Sequence, residues 1–132
     1  MGGAALVKVS WCKFSHGWAH AFEAEKKVIQ GTLAVGETLV IEHIGSTSVP
    51  GIGGKPYVDI ALQRPLPESL TLAACGYTLS SPGANWFVKS AHHPTKEIQG
   101  FIVHVLDGYH FKRCLVFRDY LRENPQVPSP RP

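Results

Sequence analysis

The chain has 132 residues, of which 44% are hydrophobic and 17% are charged, and this balance indicates one globular domain with a single core. Its formal net charge of +3 is spread along the chain without a long basic run, so nucleic acid is not expected as a partner. No apolar run approaches the roughly 20 residues of a membrane-spanning helix, so no membrane association is expected. Cys12, Cys75 and Cys114 form no CxxC pair, which predicts reduced packing residues in a cytoplasmic protein rather than a zinc or disulfide framework.

Hydrophobic periodicity and turn residues predict a series of strands interrupted by helices. The strands are expected at residues 6–9, 38–44, 57–62, 77–80, 86–89 and 98–106. The helices are expected at residues 16–33, 68–75 and 111–123. This order predicts a small mixed α/β (α+β) domain over residues 1–125, with helices packed mainly on one face of a largely antiparallel sheet. The proline-rich residues 126–132 are expected to form a disordered tail.

The segment EHIGSTSVPGIGGKPYVDIA, from Glu42 to Ala61, predicts a strand, a glycine-rich loop and a second strand. A backbone so rich in glycine can bring its N–H groups close to an anion, as phosphate-binding loops do. Asp59 lies on the second strand between two apolar residues, where an unpaired carboxylate would be costly. An acid beside such a loop suggests a metal–phosphate site.

The phosphate-binding candidates are the amides and hydroxyls of this loop at Gly45, Ser46, Thr47 and Ser48, with Lys55 supplying positive charge. Lys55 is followed by proline, so the pattern GxxxxGK[ST] is absent and a P-loop is excluded. A dinucleotide-binding fingerprint is also excluded, because no helix follows the glycines. The alternative interpretation is that the loop is a tight connection between neighbouring strands and holds no ligand.

Two segments of the chain resemble a known family. HIGSTSVPGIGGKPYVDI closely resembles the signature of the GrpB family, a group of nucleotidyltransferase-like proteins, and VFRDYLRENP at residues 116–125 resembles that family's late helix. The resemblance covers roughly residues 7–125 and implies a nucleotidyltransferase-like mixed sheet. Members of the family usually continue past RDYLR with another helical segment, whereas this chain turns to VPSPRP. That difference predicts a shortened form, in which self-association as an oligomer could cover an exposed patch.

The resemblance also implies site residues. The nucleotidyltransferase superfamily places a Gly-Ser pair after its first core strand and acids in a D-x-D arrangement on the next strand. Gly45-Ser46 matches the pair and Asp59 matches the first acid, but Ala61 stands where the second acid is expected. Two-metal phosphoryl transfer needs several carboxylates, so a full two-metal site is not expected.

Two histidines could compensate for the missing acid. His104 lies among apolar residues at about the place where the superfamily puts its third acid, and His43 lies just before the Gly-Ser pair. If both converge with Asp59, the set of two histidines and a carboxylate would suit a transition metal better than Mg²⁺. The alternative is that each histidine is a hydrogen-bonded core residue.

Arg118 is the remaining candidate for a phosphate contact. It lies on the apolar stripe of the final helix, and an arginine on a buried stripe requires a nearby anion. That anion could be Asp59, Glu42 or a ligand phosphate, and a structural ion pair between helix and sheet is the alternative to ligand binding. Asp119 and Arg122 are expected to form a surface pair.

The resemblance implies that the protein binds a nucleotide or another phosphorylated small molecule with a divalent metal, Mg²⁺ or Mn²⁺. It also implies transfer of a nucleotidyl group to an acceptor hydroxyl, helped by positioning and electrostatics. Asp59 would then coordinate the metal as the catalytic residue, while the loop, Lys55 and Arg118 would hold the phosphates. The alternative is a non-catalytic ligand-binding or accessory module of the same fold, which Ala61 and the short C-terminus favour. Some family members are fused to a dephospho-coenzyme A kinase, which fits an accessory role.

Overall fold

The computed structural model describes residues 11–125. The strand predicted at residues 6–9 and the tail predicted at residues 126–132 lie outside the described residues. The helices are α1 (Gly17–Gln30) and α2 (Gly108–Glu123). The strands are β1 (Ile41–Ile44), β2 (Tyr57–Gln63), β3 (Thr78–Leu79), β4 (Trp86–Ser90) and β5 (Gly100–Leu106). A short 3₁₀ turn, Ser46–Ser48, follows β1.

The strands form a five-stranded sheet in the order β1-β2-β5-β4-β3. β2 and β5 run parallel, with Tyr57 beside Gly100 and Ala61 beside His104, and the other neighbouring strands are antiparallel. The predicted mixed α/β fold with a largely antiparallel sheet is therefore confirmed. Because β2 and β5 are parallel, both strands begin at the same end of the sheet. The glycine-rich loop lies at this end, since it leads directly into β2.

One face of the sheet, the α1 face, is closed by α1. Val58, Ile60 and Leu62 of β2 point to this face at the two-residue period of a strand, and none of them is exposed to solvent. Trp18 and Ile29 of α1 belong to the same core cluster and are also fully buried. Burial of a large apolar side chain contributes about 1.5–3 kcal/mol, so this layer supplies much of the stability of the domain.

The opposite face, the α2 face, is partly covered by α2. Phe111 packs there against Ile44 and Ala61. The fold class stands, but the helices lie on opposite faces of the sheet rather than mainly on one. The reason is that β2 is an internal strand, so the residues between its α1-facing positions, such as the fully buried Ala61, also need a covering layer.

The helix predicted at residues 68–75 is not formed, and the chain makes consecutive turns there. The amide of Leu70 donates to the carbonyl of Pro67 at 3.0 Å, and the amide of Cys75 donates to the carbonyl of Leu72 at 3.0 Å. Leu70, Leu72 and Cys75 are all buried in the core on the α1 face. Residues two positions apart point to different sides of a helix, so turns can bury both leucines where a helix could not.

No helix within residues 11–125 is long and apolar enough to cross a membrane.

Candidate functional site

A cavity of about 570 Å³ lies on the α2 face, between α2, the glycine-rich loop and the strands β2 and β5. This volume is within the roughly 300–1,000 Å³ of typical small-molecule sites. The polar part of its lining consists of Gly45, Ser46, Lys55, Asp59, His104 and Arg118. The apolar and aromatic part includes Trp11, Tyr57, Ile102, Leu106, Phe117 and Leu121. The structure therefore brings six of the predicted site residues to one cavity.

Asp59 lies directly against the start of the loop. Its carboxylate packs on Gly45, whose backbone has φ 75° and ψ −176°, a conformation that is essentially restricted to glycine. A Cβ atom added at Gly45 would lie 2.6 Å from Oδ2 of Asp59, so a side chain there would displace the carboxylate. The glycine of the Gly-Ser pair thus allows the acid of the next strand to reach the turn.

His104 is the nearest ionisable neighbour of Asp59. Its Nε2 lies 3.2 Å from Oδ1 of Asp59, and the two side chains are 30% and 25% exposed. The contact follows from the parallel register, in which Asp59 lies beside Ile102 and Ala61 lies beside His104, so that the acid and the histidine are diagonal neighbours on one face. The predicted pairing of these two residues is therefore present in the structure.

His43 does not join them. It pairs with Ile60 and so points to the α1 face, where its ring stacks on Phe22 with 4.9 Å between the ring centroids. Its Nε2 lies 2.9 Å from Oγ1 of Thr47. Burial, with the nearby charge of Arg122 as a smaller cause, lowers the pKa of His43 to about 4. The predicted convergence of His43 with Asp59 and His104 is therefore wrong for His43, which is the hydrogen-bonded core histidine of the alternative interpretation.

The hydroxyls of the loop divide into two groups. Thr47 and Ser48 are buried, and Ser48 Oγ donates to the carbonyl of Gly45 at 2.6 Å while Thr47 contacts His43. These two side chains stabilise the turn instead of facing the cavity. Ser46 lines the cavity and packs so closely on Gly54 that no Cβ atom would fit there. Of the predicted phosphate-binding hydroxyls, Ser46 is thus the one that faces the cavity.

Lys55 lines the same end of the cavity and is exposed to solvent. Its ammonium group has no hydrogen-bond or ion-pair partner among residues 11–125. An exposed ammonium group that lines a cavity and has no partner among the described residues is available for an anionic ligand.

Arg118 lines the cavity but is already paired. Its Nη1 donates to Oε1 of Glu42 at 2.7 Å and to the carbonyl of His43 at 3.0 Å, and its Nε donates to Oδ1 of Asp119 at 2.9 Å. The predicted alternative of an ion pair between helix and sheet is therefore what the structure shows. Asp119 pairs with Arg118, whereas Arg122 donates from Nε to the carbonyl of Ser48 at 2.9 Å, so the predicted Asp119–Arg122 pair is not present.

The donor set for a metal is small. Residues 11–125 contain no group of three or more His, Cys, Asp or Glu side chains placed to hold an ion. Asp59 and His104 supply two donors, which does not fit a resident metal held by the protein alone. It does fit an ion that arrives with a phosphorylated ligand, because Mg²⁺ is usually bound through one or two carboxylates together with substrate phosphates.

The apolar walls of the cavity were missed by the sequence prediction, although the strand period could have indicated part of them. Tyr57 precedes Asp59 by two residues, and Ile102 and Leu106 flank His104 at the same spacing, so all of them share one face of the sheet. Phe117 comes from α2, and its approach to the sheet depends on how the helix packs, which the sequence pattern does not specify.

Comparison with known proteins gives consistent matches. A family model described as GrpB protein matches residues 8–129. The chain is 38% identical to the UPF0157 protein PA4798 of Pseudomonas aeruginosa, over 82% of this chain and 48% of that protein. It is 30% identical to the UPF0157 protein YqkA of Bacillus subtilis, over 91% of this chain and 36% of that protein. The chain thus spans less than half the length of these two relatives.

A solved structure is similar in fold. The crystal structure of conserved protein GrpB from Enterococcus faecalis aligns with a TM-score of 0.65 and 24% sequence identity, covering 88% of this chain and 74% of that chain. At this level of identity the likeness supports the fold and says nothing of a shared ligand.

Proposed function

The chain belongs to the GrpB family, and we propose that its cavity binds a nucleotide, or another phosphorylated small molecule, together with a divalent cation. One observation carries the proposal: the Asp59 carboxylate touches the Gly45-Ser46 turn at the end of the cavity where the Lys55 ammonium group has no partner among the described residues. An acid that can bind a cation and an ammonium group that can bind an anion thus line one cavity. A metal-bound phosphate chain is the ligand chemistry that matches both charges.

The phosphate end of the ligand would contact Lys55 and Ser46. Lys55 supplies a mobile point charge with several donors, and the Ser46 hydroxyl can donate to a phosphate oxygen. Arg118 contributes positive potential but keeps its hydrogen bonds to Glu42 and Asp119. Its role is therefore to hold α2 against β1 and so to shape the cavity wall.

The cation end of the ligand would contact the carboxylate of Asp59, since carboxylate oxygen is the ligand type that Mg²⁺ and Mn²⁺ prefer. A bound Mg²⁺ or Mn²⁺ would offset the charge of the phosphates, which supply its remaining ligands. His104, in hydrogen-bond distance of the carboxylate, holds Asp59 in position.

Nucleotidyl transfer to an acceptor hydroxyl would be a further step, with Asp59 as its catalytic residue. A non-catalytic binding module is the second candidate, and a specific observation favours it. Ala61, at the position of the second acid, is fully buried beneath Phe111, so a carboxylate at this position would be covered by α2 rather than directed into the cavity.

Thermal unfolding with ATP, CTP, GTP or UTP, each with and without Mg²⁺ or Mn²⁺, tests the proposal. A ligand that binds the folded state at about 100 times its Kd adds about 2.7 kcal/mol to the free energy of unfolding, so the melting temperature rises. We expect the shift to need the cation, to disappear in Asp59→Asn and to shrink in Lys55→Gln, since a hydrogen bond to a charged group contributes about 1.5–3 kcal/mol.

The matched controls are Glu23→Gln and Lys27→Gln, which change exposed charges on α1 at the other face of the sheet. They should leave the ligand shift unchanged. In an incubation that also contains a hydroxyl acceptor such as glycerol, recovery of the nucleotidyl group on that acceptor with release of pyrophosphate would establish transfer, whereas stable binding without either product would favour the binding module. A protein that unfolds cooperatively and shifts with none of the four nucleotides would refute a nucleotide as the ligand.

A further inference from the structure

The outer side of α2, which faces away from the sheet, carries large apolar and aromatic side chains in the open. Those that are more than half exposed are Tyr109, Val116, Phe117 and Tyr120. Together with Lys112 and Arg113 they line a groove of about 490 Å³. A contiguous exposed apolar patch on a soluble protein commonly marks an interaction site.

The spacing of the exposed residues is that of a helix that packs lengthwise against another helix. Successive members of one exposed row are four, three, four and three positions apart: Tyr109, Arg113, Val116, Tyr120 and Glu123. This alternation is the spacing of a coiled-coil seam. Because α2 has 16 residues and is therefore about 24 Å long, the row runs along nearly the whole helix, with Val116 at its centre.

Two charged residues flank this seam on the same side. Lys112 and Asp119 are seven positions apart, so they occupy equivalent places on the helix surface. Lys112 is exposed and has no hydrogen-bond or ion-pair partner among residues 11–125. Asp119 is also exposed and accepts from Arg118 through Oδ1, which leaves Oδ2 for another cation. At 1.5 Å per residue the two side chains start about 10 Å apart along the helix, so they do not pair within one chain.

A second copy of the chain matches both the seam and these charges. When two identical helices pack antiparallel about a two-fold axis, equivalent flanks of the two helices meet. With the axis at the level of Val116, Lys112 lies four residues before it and Asp119 three residues after it. Lys112 of one copy and the partner's Asp119 then lie within about 1.5 Å of the same level along the helix. Symmetry repeats this contact, so two ion pairs form.

A parallel pair of helices does not match the charges. It would bring the flank of Lys112 and Asp119 against the opposite flank of the partner helix, which carries His110 and Phe117 and no acid. The charge pattern of α2 therefore favours the antiparallel arrangement.

We propose that the outer side of α2 is a dimerisation surface that takes a second copy of this chain, antiparallel about a two-fold axis at Val116. The proposal does not depend on the ligand of the cavity. One helix from each copy buries less than the roughly 800 Å² per partner of a standard interface, so we expect a Kd of about 10–100 μM.

Sedimentation equilibrium of the 132-residue chain without ligand tests the proposal. Between about 1 μM and about 1 mM protein, the mean mass should rise from one chain towards two, as the expected Kd requires. Val116→Asp places two carboxylates at the symmetry axis and should weaken the dimer at least about tenfold, because like charges are then forced together. Val116 is exposed, so the variant should still unfold cooperatively in a thermal scan.

Charge reversal tests the arrangement of the two helices. Lys112→Asp and Asp119→Lys each place like charges opposite one another, so each variant alone should dimerise at least about tenfold more weakly than the wild type. An equimolar mixture of the two restores opposite charges at both contacts and should dimerise within about threefold of the wild type. Lys27→Asp and Glu23→Lys are the matched controls, because they make the same changes of charge at exposed positions of α1. They should associate like the wild type.

Three results would overturn the proposal. A wild-type chain that remains monomeric up to about 1 mM would show that α2 does not take a second copy with the expected affinity, and would leave its outer side to a different partner. A dimer that Val116→Asp leaves unchanged would place the interface elsewhere. If the two charge variants fold but do not associate when mixed, the antiparallel arrangement is wrong. None of these results bears on nucleotide binding, because no ligand is present.

Discussion

The two faces of the sheet differ in what they do with charged side chains. On the α1 face, Glu25 is 5% exposed and accepts hydrogen bonds from the Tyr77 hydroxyl at 2.7 Å and the Lys89 ammonium at 2.8 Å. On the α2 face, Asp59 keeps a quarter of its side chain exposed and the Lys55 ammonium group has no partner among residues 11–125. The α1 face therefore pairs its charged side chains within the core, whereas on the α2 face Asp59 and Lys55 remain partly or fully exposed to solvent.

A single strand separates these roles. Successive side chains of β2 alternate between Val58, Ile60 and Leu62 on the α1 face and Asp59 and Ala61 on the other. The apolar set anchors the strand, so the backbone that positions Asp59 is fixed from behind. A carboxylate on such a strand is held more rigidly than one on a loop, which favours a preorganised site.

The largest effect is expected from breaking the ion pair on the α1 face. Glu25→Ala leaves Lys89 partly buried, since its side chain is 21% exposed, and removes the acceptor of Tyr77. Removing one partner of a buried pair costs about 3–5 kcal/mol, and the partial exposure of Lys89 places the expected loss near the lower limit. Urea unfolding measures the change in the free energy of unfolding.

Glu23→Ala is the control, because Glu23 is exposed on the same helix and its substitution should change stability by less than about 0.5 kcal/mol. Without denaturant, where Glu25→Ala is still folded, any ligand that binds the wild type should bind this variant equally well, since the cavity lies on the other face of the sheet. Equal stability of the two variants would mean that the Glu25–Lys89 pair does not stabilise the α1 face.

A second prediction tests the α2 face through Gly45. Gly45→Ala places a side chain at φ 75° and within 2.6 Å of the Asp59 carboxylate. The backbone strain costs about 1–3 kcal/mol, and the collision moves the carboxylate, so both stability and cation-dependent ligand binding should fall. Thermal unfolding with and without ligand separates the two effects.

Gly36→Ala supplies the matched comparison. Gly36 also has a positive φ, 88°, but an added Cβ would meet nothing within 4 Å. This variant should lose stability through backbone strain and keep its ligand affinity. If Gly45→Ala also keeps full ligand affinity, then the contact between the turn and Asp59 is not required for binding.

The sequence predicts the local parts of the site well and the long-range parts poorly. The glycine-rich loop, strand β2 and the placement of Asp59 follow from local patterns of turn residues and alternation. The partner of Arg118 does not follow from local patterns, because Glu42 lies 76 residues away in the sequence. Other acids could also pair with Arg118, and the sequence does not rank them. The face of His43 depends on the register in which it lies opposite Ile60, and this register is set by the length and shape of the whole loop.

The third prediction concerns this same histidine and has the smallest effect. His43 has a pKa of about 4 in the folded protein against 6.5 for an ordinary histidine, because of its burial and then the charges of Arg122 and Arg118. The unfolded chain therefore binds a proton first as the pH falls. The contribution to stability is fully present above pH 6.5 and is lost as the pH falls towards 4. Between about pH 7 and about pH 5 the loss should be about 2 kcal/mol.

Urea unfolding at several pH values measures this loss for the wild type, for His43→Gln and for His20→Gln. His20 is exposed on α1, so its substitution should leave the pH dependence unchanged. His43→Gln can still approach Thr47 but cannot take up a proton, so its stability should vary less over this range. If the free energy of unfolding changes equally with pH in all three proteins, then burial on the α1 face does not keep His43 neutral. The α1 face would then tolerate a charged side chain as readily as the α2 face does. The contrast between the two faces would fail at His43, the residue where burial is expected to exclude a charge most strongly.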